Sequence, residues 1–223
     1  GLPHTLAAIR HGDAAVARDA TDAGALEARG TARYWRWLTD PGLEGAVRDD
    51  LLRTARDDLE GAVQRDPRRA SAFSTLSHLY YNDPDAPGLT SVLMAAQRAY
   101  EEDAYLEAAD VILWRLYTGH YDLGNFTKAR QWCEEGARRF ATNDRFVRCQ
   151  LELLHTPAVQ PDADRAWRLA ARIDSLAPPH ARDYAAVEAE IFVAGALVRA
   201  DLPDSARAVL RRAHDRITHE IDP

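Results

Sequence analysis

Eight histidines, two cysteines and 35 carboxylates are the groups of this chain that could do chemistry. The histidines are scattered. His219-Glu220 has the first half of a zinc-protease motif, in which two histidines one helical turn apart hold the metal and the glutamate serves as base. No second histidine follows it, so a polar helix end is expected there. The run Asn82 to Gly88, "NDPDAPG", crowds oxygen ligands, but Leu93 stands where a calcium loop needs its twelfth-position carboxylate, and an ordinary loop is expected. Nucleophile elbows and phosphate-cradling glycine loops are missing from the sequence. Asn125-Phe126-Thr127 has the form of a glycosylation sequon and reads more simply as a helix N-cap. Cys133 and Cys149 are too few for a disulfide framework or a zinc site, though they can pair with each other. The reading is of a chain that is not an enzyme, with no metal and no cofactor.

The bulk numbers are those of a globular chain. Of 223 residues, 46% are hydrophobic and 28% charged, as in folded soluble domains. A formal charge of −7 argues against nucleic acid, which calls for a basic face. No apolar run approaches the roughly 18 residues of a membrane span, so no direct membrane contact is expected of this segment. The opening at Gly1 reads like that of a piece, with targeting segments lying outside it. Lysine occurs once, at Lys128, and arginine and alanine are frequent, the usage of a GC-rich bacterial genome.

These groups need elements to hold them. Strand signals are weak, and no Asn-Gly or Asp-Gly hairpin turn occurs. Apolar residues recur at three- and four-residue steps, with Asp, Asn, Pro and Gly between the runs. The spacing predicts an all-α chain of roughly nine to ten helices of about 11–16 residues.

A pattern then repeats. Ala55, Leu59 and Ala62 are followed by Pro67; Ala129, Cys133 and Gly136 by Ala141; Ala206, Leu210 and Ala213 form a third copy, and Ala166 with Ala170 a fainter one. Apolar sets alternate with these copies: Phe73, Leu76, Ser77 and Tyr80 follow the first; Leu113, Leu116, Tyr117 and Tyr121 precede the Ala129 copy; Phe146, Cys149, Gln150 and Leu153 form another; and Ala194 and Leu197 precede the Ala206 copy. Small residues let two antiparallel helices approach closely, and Leu, Tyr and Phe fill holes in the neighbour. One such pair cannot bury its apolar face, so pairs stack. Pro67 falls beyond a helix end, where its missing N–H costs nothing.

These residues resemble the tetratricopeptide repeat family. The match is strong from Ala55 to Tyr81, good over Leu113–Ala137 and Ala194–Ala213, and weak from Leu151 to Asp183, where "TPAVQPDAD" and "SLAPPHARD" lengthen the loops. The resemblance implies a right-handed α-solenoid of four to five helix-turn-helix repeats, a single domain over 1–223 with atypical N-terminal helices over 4–50 and repeats over about 51–218. In the first repeat, Gly30 and Ala55 are too far apart in sequence, and "WRWLTDPGLEGAV" is the excess. The stretch "DLEGAVQRDPRRASAFSTLSHLYY" is also similar to the repeat regions of bacterial serine/threonine kinases and transcriptional regulators.

In that family the first helix of each pair lines an inner wall where proteins and peptides bind. Carried over, the wall is Glu27, Tyr34 and Trp35, then Ser71, Ser74, His78, Tyr81 and Asn82, then Val111, Trp114, Thr118, Tyr121 and Asp122. Rigid aromatics there suit an anchor site, with ordinary packing between repeats as the other reading of Tyr121, Trp114 and His78. No basic residue stands at the mapped middle positions, so a clamp for a C-terminal carboxylate is not expected. The same register sets Cys133 opposite Cys149, either as a disulfide of an oxidising compartment or as two buried thiols.

The expected function is a non-catalytic protein- or peptide-binding scaffold, the sensory or recruitment region of a larger bacterial regulator. The alternative is a small-ligand sensor using the aromatic groove. An enzyme would need two converging acids, and Glu27 and Asp122 are far apart in such a stack. Self-association through the end repeats is a further expectation, with "AEIFVAGALVRA" as its surface or else as the start of packing against sequence beyond this segment. The chain is expected in the cytoplasm or in the extracytoplasmic part of a membrane-attached protein.

Overall fold

The structure is a computed structural model that describes residues 2–86, 88–105 and 107–217. Among these residues there are eleven α-helices, more than the periodicity predicts, and they run from 10 to 21 residues. They are α1 (Leu2–Arg18), α2 (Ala23–Thr39), α3 (Gly45–Arg65), α4 (Ala70–Asn82), α5 (Leu89–Glu102), α6 (Ala109–Asp122), α7 (Phe126–Arg139), α8 (Asp144–Leu153), α9 (Ala163–Leu176), α10 (Arg182–Arg199) and α11 (Pro203–Arg216). A short 3-10 turn, Pro179–Ala181, leads into α10. His219 and Glu220 lie outside the described residues.

The chain divides into two compact units, Gly1–Gly119 and His120–Pro223. In the first, α2 packs on α3 and α4 on α5 as helix pairs, with α1 laid against α2. The contact positions are small residues, among them Ala55 and Ala62, which the sequence pattern marks. Ala55, Ala62, Ala72, Ala96 and Ala99 are fully buried, with Leu59, Leu76 and Leu79 between them. A Cβ on Gly30 would collide with Leu59, Asp58 and the Ala55 carbonyl, so a side chain there would force α2 off α3. The excess residues of this first pair are therefore not an insertion between the helices. They lengthen the C-terminal end of α2 and the N-terminal end of α3, and the Gly30–Ala55 crossing is kept. Asp22 caps α2, its Oδ1 accepting from the Gly24 and Ala25 amides at 2.8 and 3.1 Å.

A buried ion network ties α1, α2 and α3 together. The Asp58 carboxylate accepts from Arg29 Nε at 2.8 Å and Nη2 at 2.6 Å, and from Arg33 Nη1 at 2.8 Å. Asp13 of α1 bridges the same two guanidiniums at 3.3 and 3.0 Å. Each buried charge thus has opposite charges in hydrogen-bond contact.

In the second unit α8 packs on α7 and α9, and α10 on α9 and α11. Its core runs from Val147, Leu151 and Leu154 through Ile173 to Val193, Ala196 and Leu197. Gly136 is obligatory in α7, since a Cβ would enter the Phe146 ring. Three residues after Phe146 on α8, Cys149 forms a disulfide with Cys133 of α7, with Cα atoms 5.9 Å apart and both side chains fully buried. Asn125 caps α7, accepting from the Lys128 amide, after the turn at Gly124 whose φ of 71° suits glycine.

Candidate functional site

The mapped wall residues separate into those that hold the site and those that face solvent. Tyr34 belongs to the first kind. It is 0% exposed, so it is a pillar and not an anchor open to a ligand. Its ring stacks on Trp37 at 5.9 Å. Its hydroxyl lies 2.7 Å from His78 Nδ1 and 3.2 Å from the His78 carbonyl oxygen. Asn82 Nδ2 donates to that hydroxyl at 3.0 Å and to the His78 carbonyl at 2.8 Å. Burial pushes the Tyr34 phenol up to about 12, so it stays protonated as a donor. The sequence brings this about by placing Tyr34 one turn before the end of α2, His78 and Asn82 one turn apart on α4.

Above this cluster stand the exposed rings. Trp35 is 46% exposed, with its ring 6.0 Å from the half-buried His78 imidazole. Tyr81 is 43% exposed, and the guanidinium of Arg115 from α6 lies 3.8 Å from its ring centroid. Arg115 itself is buried. Such a cation fixes the ring and polarises it. Trp35, His78, Tyr81, Asn82 and Arg115 thus come together in the first unit from α2, α4 and α6.

Trp114 is half-buried and packs on Tyr117 at 5.2 Å. Thr118 is half-buried and donates to the Arg115 carbonyl at 3.3 Å. Ser71 is exposed, while Ser74 is buried. Glu27 does not leave the wall acidic: Arg69 Nη1 donates to it at 2.7 Å and Ser71 donates to its other oxygen. Asp83, in the loop that crowds oxygens, is buried and bound to Arg56 Nη1 at 2.7 Å, so this carboxylate is already occupied by a cation.

Tyr121 and Asp122 belong to the second unit. Asp122 is exposed. Tyr121 has its hydroxyl 2.7 Å from His155 Nε2 and its ring 5.4 Å from Phe126. The His155 ring stacks on Phe192 at 5.3 Å, and burial, then Arg199, push its pKa below the ordinary 6.5. On α10, Ile191 and Val198 are exposed.

Arg115, Trp37 and His155 escape a reading confined to the five wall positions per repeat. For Arg115 a signal exists: one cation inside the apolar run "VILWRLY" must find a partner within the fold. For His155 there is none, because its neighbour Phe192 is fixed only by the packing of α8 against α10.

Among the described residues no group of three His, Cys, Asp or Glu side chains could hold a metal ion, and no helix is long and apolar enough to cross a membrane. No protein-family model and no curated protein matches the chain. Solved structures do. That of YrrB, described as a TPR protein with an unusual peptide-binding site, is 12% identical, covers 94% of this chain and 94% of its own, and superposes with a TM-score of 0.68. That of yeast Tom70 is 13% identical, covers 95% of this chain and 55% of its own, and has a TM-score of 0.34. The first likeness is one of fold: the chain is folded as a tetratricopeptide-type α-solenoid of stacked helix pairs.

Proposed function

We propose that this chain is a non-catalytic scaffold that binds a protein or peptide segment through Trp35 and Tyr81 on the wall formed by α2, α4 and α6. The observation that carries the reading is the pair of half-exposed rings held from below. Trp35 lies over His78, Tyr81 lies over buried Arg115, and Tyr34 with Asn82 locks α2 to α4 beneath them. Pre-set aromatic faces lose little entropy on binding and desolvate much area. That YrrB, a protein of this fold, has a peptide-binding site supports the reading. With Glu27 matched by Arg69, the wall has no free acid there for a strongly basic segment. The ligand is an apolar or aromatic segment and not a C-terminal carboxylate.

The setting belongs to the same proposal. The scaffold is the recruitment region of a larger bacterial regulator, and the disulfide supports an oxidising, extracytoplasmic compartment. Self-association through α10 and α11 is supported by the exposed Ile191, Val198 and Leu210.

The test is selection from a displayed random-peptide library on the whole chain, followed by affinity measurement on Trp35→Ala/Tyr81→Ala. Both side chains are exposed enough for the variant to keep its helicity. Selected peptides rich in apolar residues should lose about 2 kcal/mol or more, some 30-fold, with the variant. Peptides held equally by both proteins would refute the wall, and failure to select any peptide would favour the small-ligand sensor.

A further inference from the structure

Trp35 and Tyr81 each carry a hydrogen-bond donor as well as a ring. Both side chains are nearly half exposed, and among the described residues neither the Trp35 indole N–H nor the Tyr81 hydroxyl has a protein partner. An indole N–H can only donate, so a ligand that covers Trp35 has to bring an acceptor.

The wall around them offers a bound chain few acceptors in return. Trp35 lies inside α2, His78 and Tyr81 inside α4, and Arg115 inside α6. Interior backbone groups of a helix are spent on the helix itself. A peptide laid across these helices cannot add as a strand, and its covered amide N–H groups find no backbone carbonyl. The nearby carboxylates are also taken. Glu27 accepts from Arg69 and Ser71, and Asp83 from Arg56. Proline has no N–H to leave unpaired and keeps its carbonyl as an acceptor. A proline-rich segment therefore covers this wall at the smallest desolvation cost.

The rings select in the same direction. The Arg115 guanidinium lies 3.8 Å from the Tyr81 ring centroid. A cation already on one face weakens the ring's attraction for a second, so a lysine or a methylated ammonium suits Tyr81 poorly. Pyrrolidine rings present uncharged C–H faces to aromatic rings. A run of prolines is already set as a polyproline II helix of three residues per turn, so little freedom is lost on docking.

We infer, on the footing that the wall of α2, α4 and α6 is the binding face, that its ligand is a proline-rich segment in the polyproline II conformation. Its pyrrolidine rings lie on Trp35 and Tyr81, and its carbonyls accept from the Trp35 indole N–H and the Tyr81 hydroxyl.

The test titrates two end-blocked peptides of equal length into the whole chain, one of repeated Pro-Pro-Leu and one of repeated Ala-Ala-Leu. The readouts are affinity and the Trp35 indole N–H resonance, assigned by its loss in Trp35→Phe. The proline peptide should shift that resonance and bind about tenfold or more tighter than the alanine peptide. Trp35→Phe/Tyr81→Phe keeps both rings and removes both donors, and should weaken the proline peptide by about tenfold or more. Equal or tighter binding of the alanine peptide overturns the inference, as does undiminished binding to the double variant. If neither repeat peptide moves Trp35 but a library-selected peptide without proline does, the proline-rich ligand is wrong and the wall stands. If no peptide of either kind moves Trp35, both fall.

Discussion

Asp58 shows how much one side chain can hold. Its carboxylate sits between Arg29 and Arg33 at 2.6–2.8 Å and is almost wholly buried. Removing it leaves two guanidiniums without their anion, so Asp58→Ala should cost about 3–5 kcal/mol in urea unfolding. Asp50→Ala, which removes one of the two carboxylates on exposed Arg53, should cost under about 1 kcal/mol. Tyr34→Phe tests the pillar in the same assay. Loss of a hydroxyl bonded to His78 and Asn82 should cost about 1–2 kcal/mol. Its ring was placed on the open wall by register alone. Register is silent about depth, since Trp37, which stacks on the Tyr34 ring, stands outside the repeating positions. His155 gives a pH dependence. Its pKa lies below the unfolded 6.5, so the unfolded chain binds the proton first on acidification. Stability is therefore full above about pH 6.5 and falls as pH drops toward the folded value. The melting temperature should decline between about pH 7 and 5, and the decline should shrink in His155→Gln.

At the scale of elements, the helices could be read from their small residues, and their ends could not. Ala55, Ala129 and Ala206 fall where pairs cross because only small side chains allow the approach. The same rule says nothing of where a helix stops, so Trp35 to Val47 reads as excess when it is the end of α2, a turn and the lengthened start of α3. The facing of Cys133 and Cys149 could also be read, from repeat register, though sequence left open whether they are bonded. Their bond closes a loop between residues 16 apart. For such a loop the chain-entropy account gives about 3 kcal/mol, so Cys133→Ala/Cys149→Ala should lower unfolding stability by about that amount. The parent chain should show no free thiol under denaturing, non-reducing conditions.

For the whole molecule, repetition made the fold type visible while the ligand stayed hidden. A repeat is constrained by what each pair buries, and burial leaves a periodic trace along the chain. The proposed recognition rests on side chains that burial does not constrain, Trp35 and Tyr81, and on Arg115, which the period skips. The central claim is that a partner segment lies on those rings. The measurement that tests it most directly is a 15N–1H spectrum of the tryptophan indole N–H groups, with a library-selected peptide titrated into the whole chain. Trp35, on the wall, should shift and broaden, while Trp132 of α7 and Trp167 of α9 stay in place. Shifts of Trp132 or Trp167 with Trp35 unmoved would contradict it.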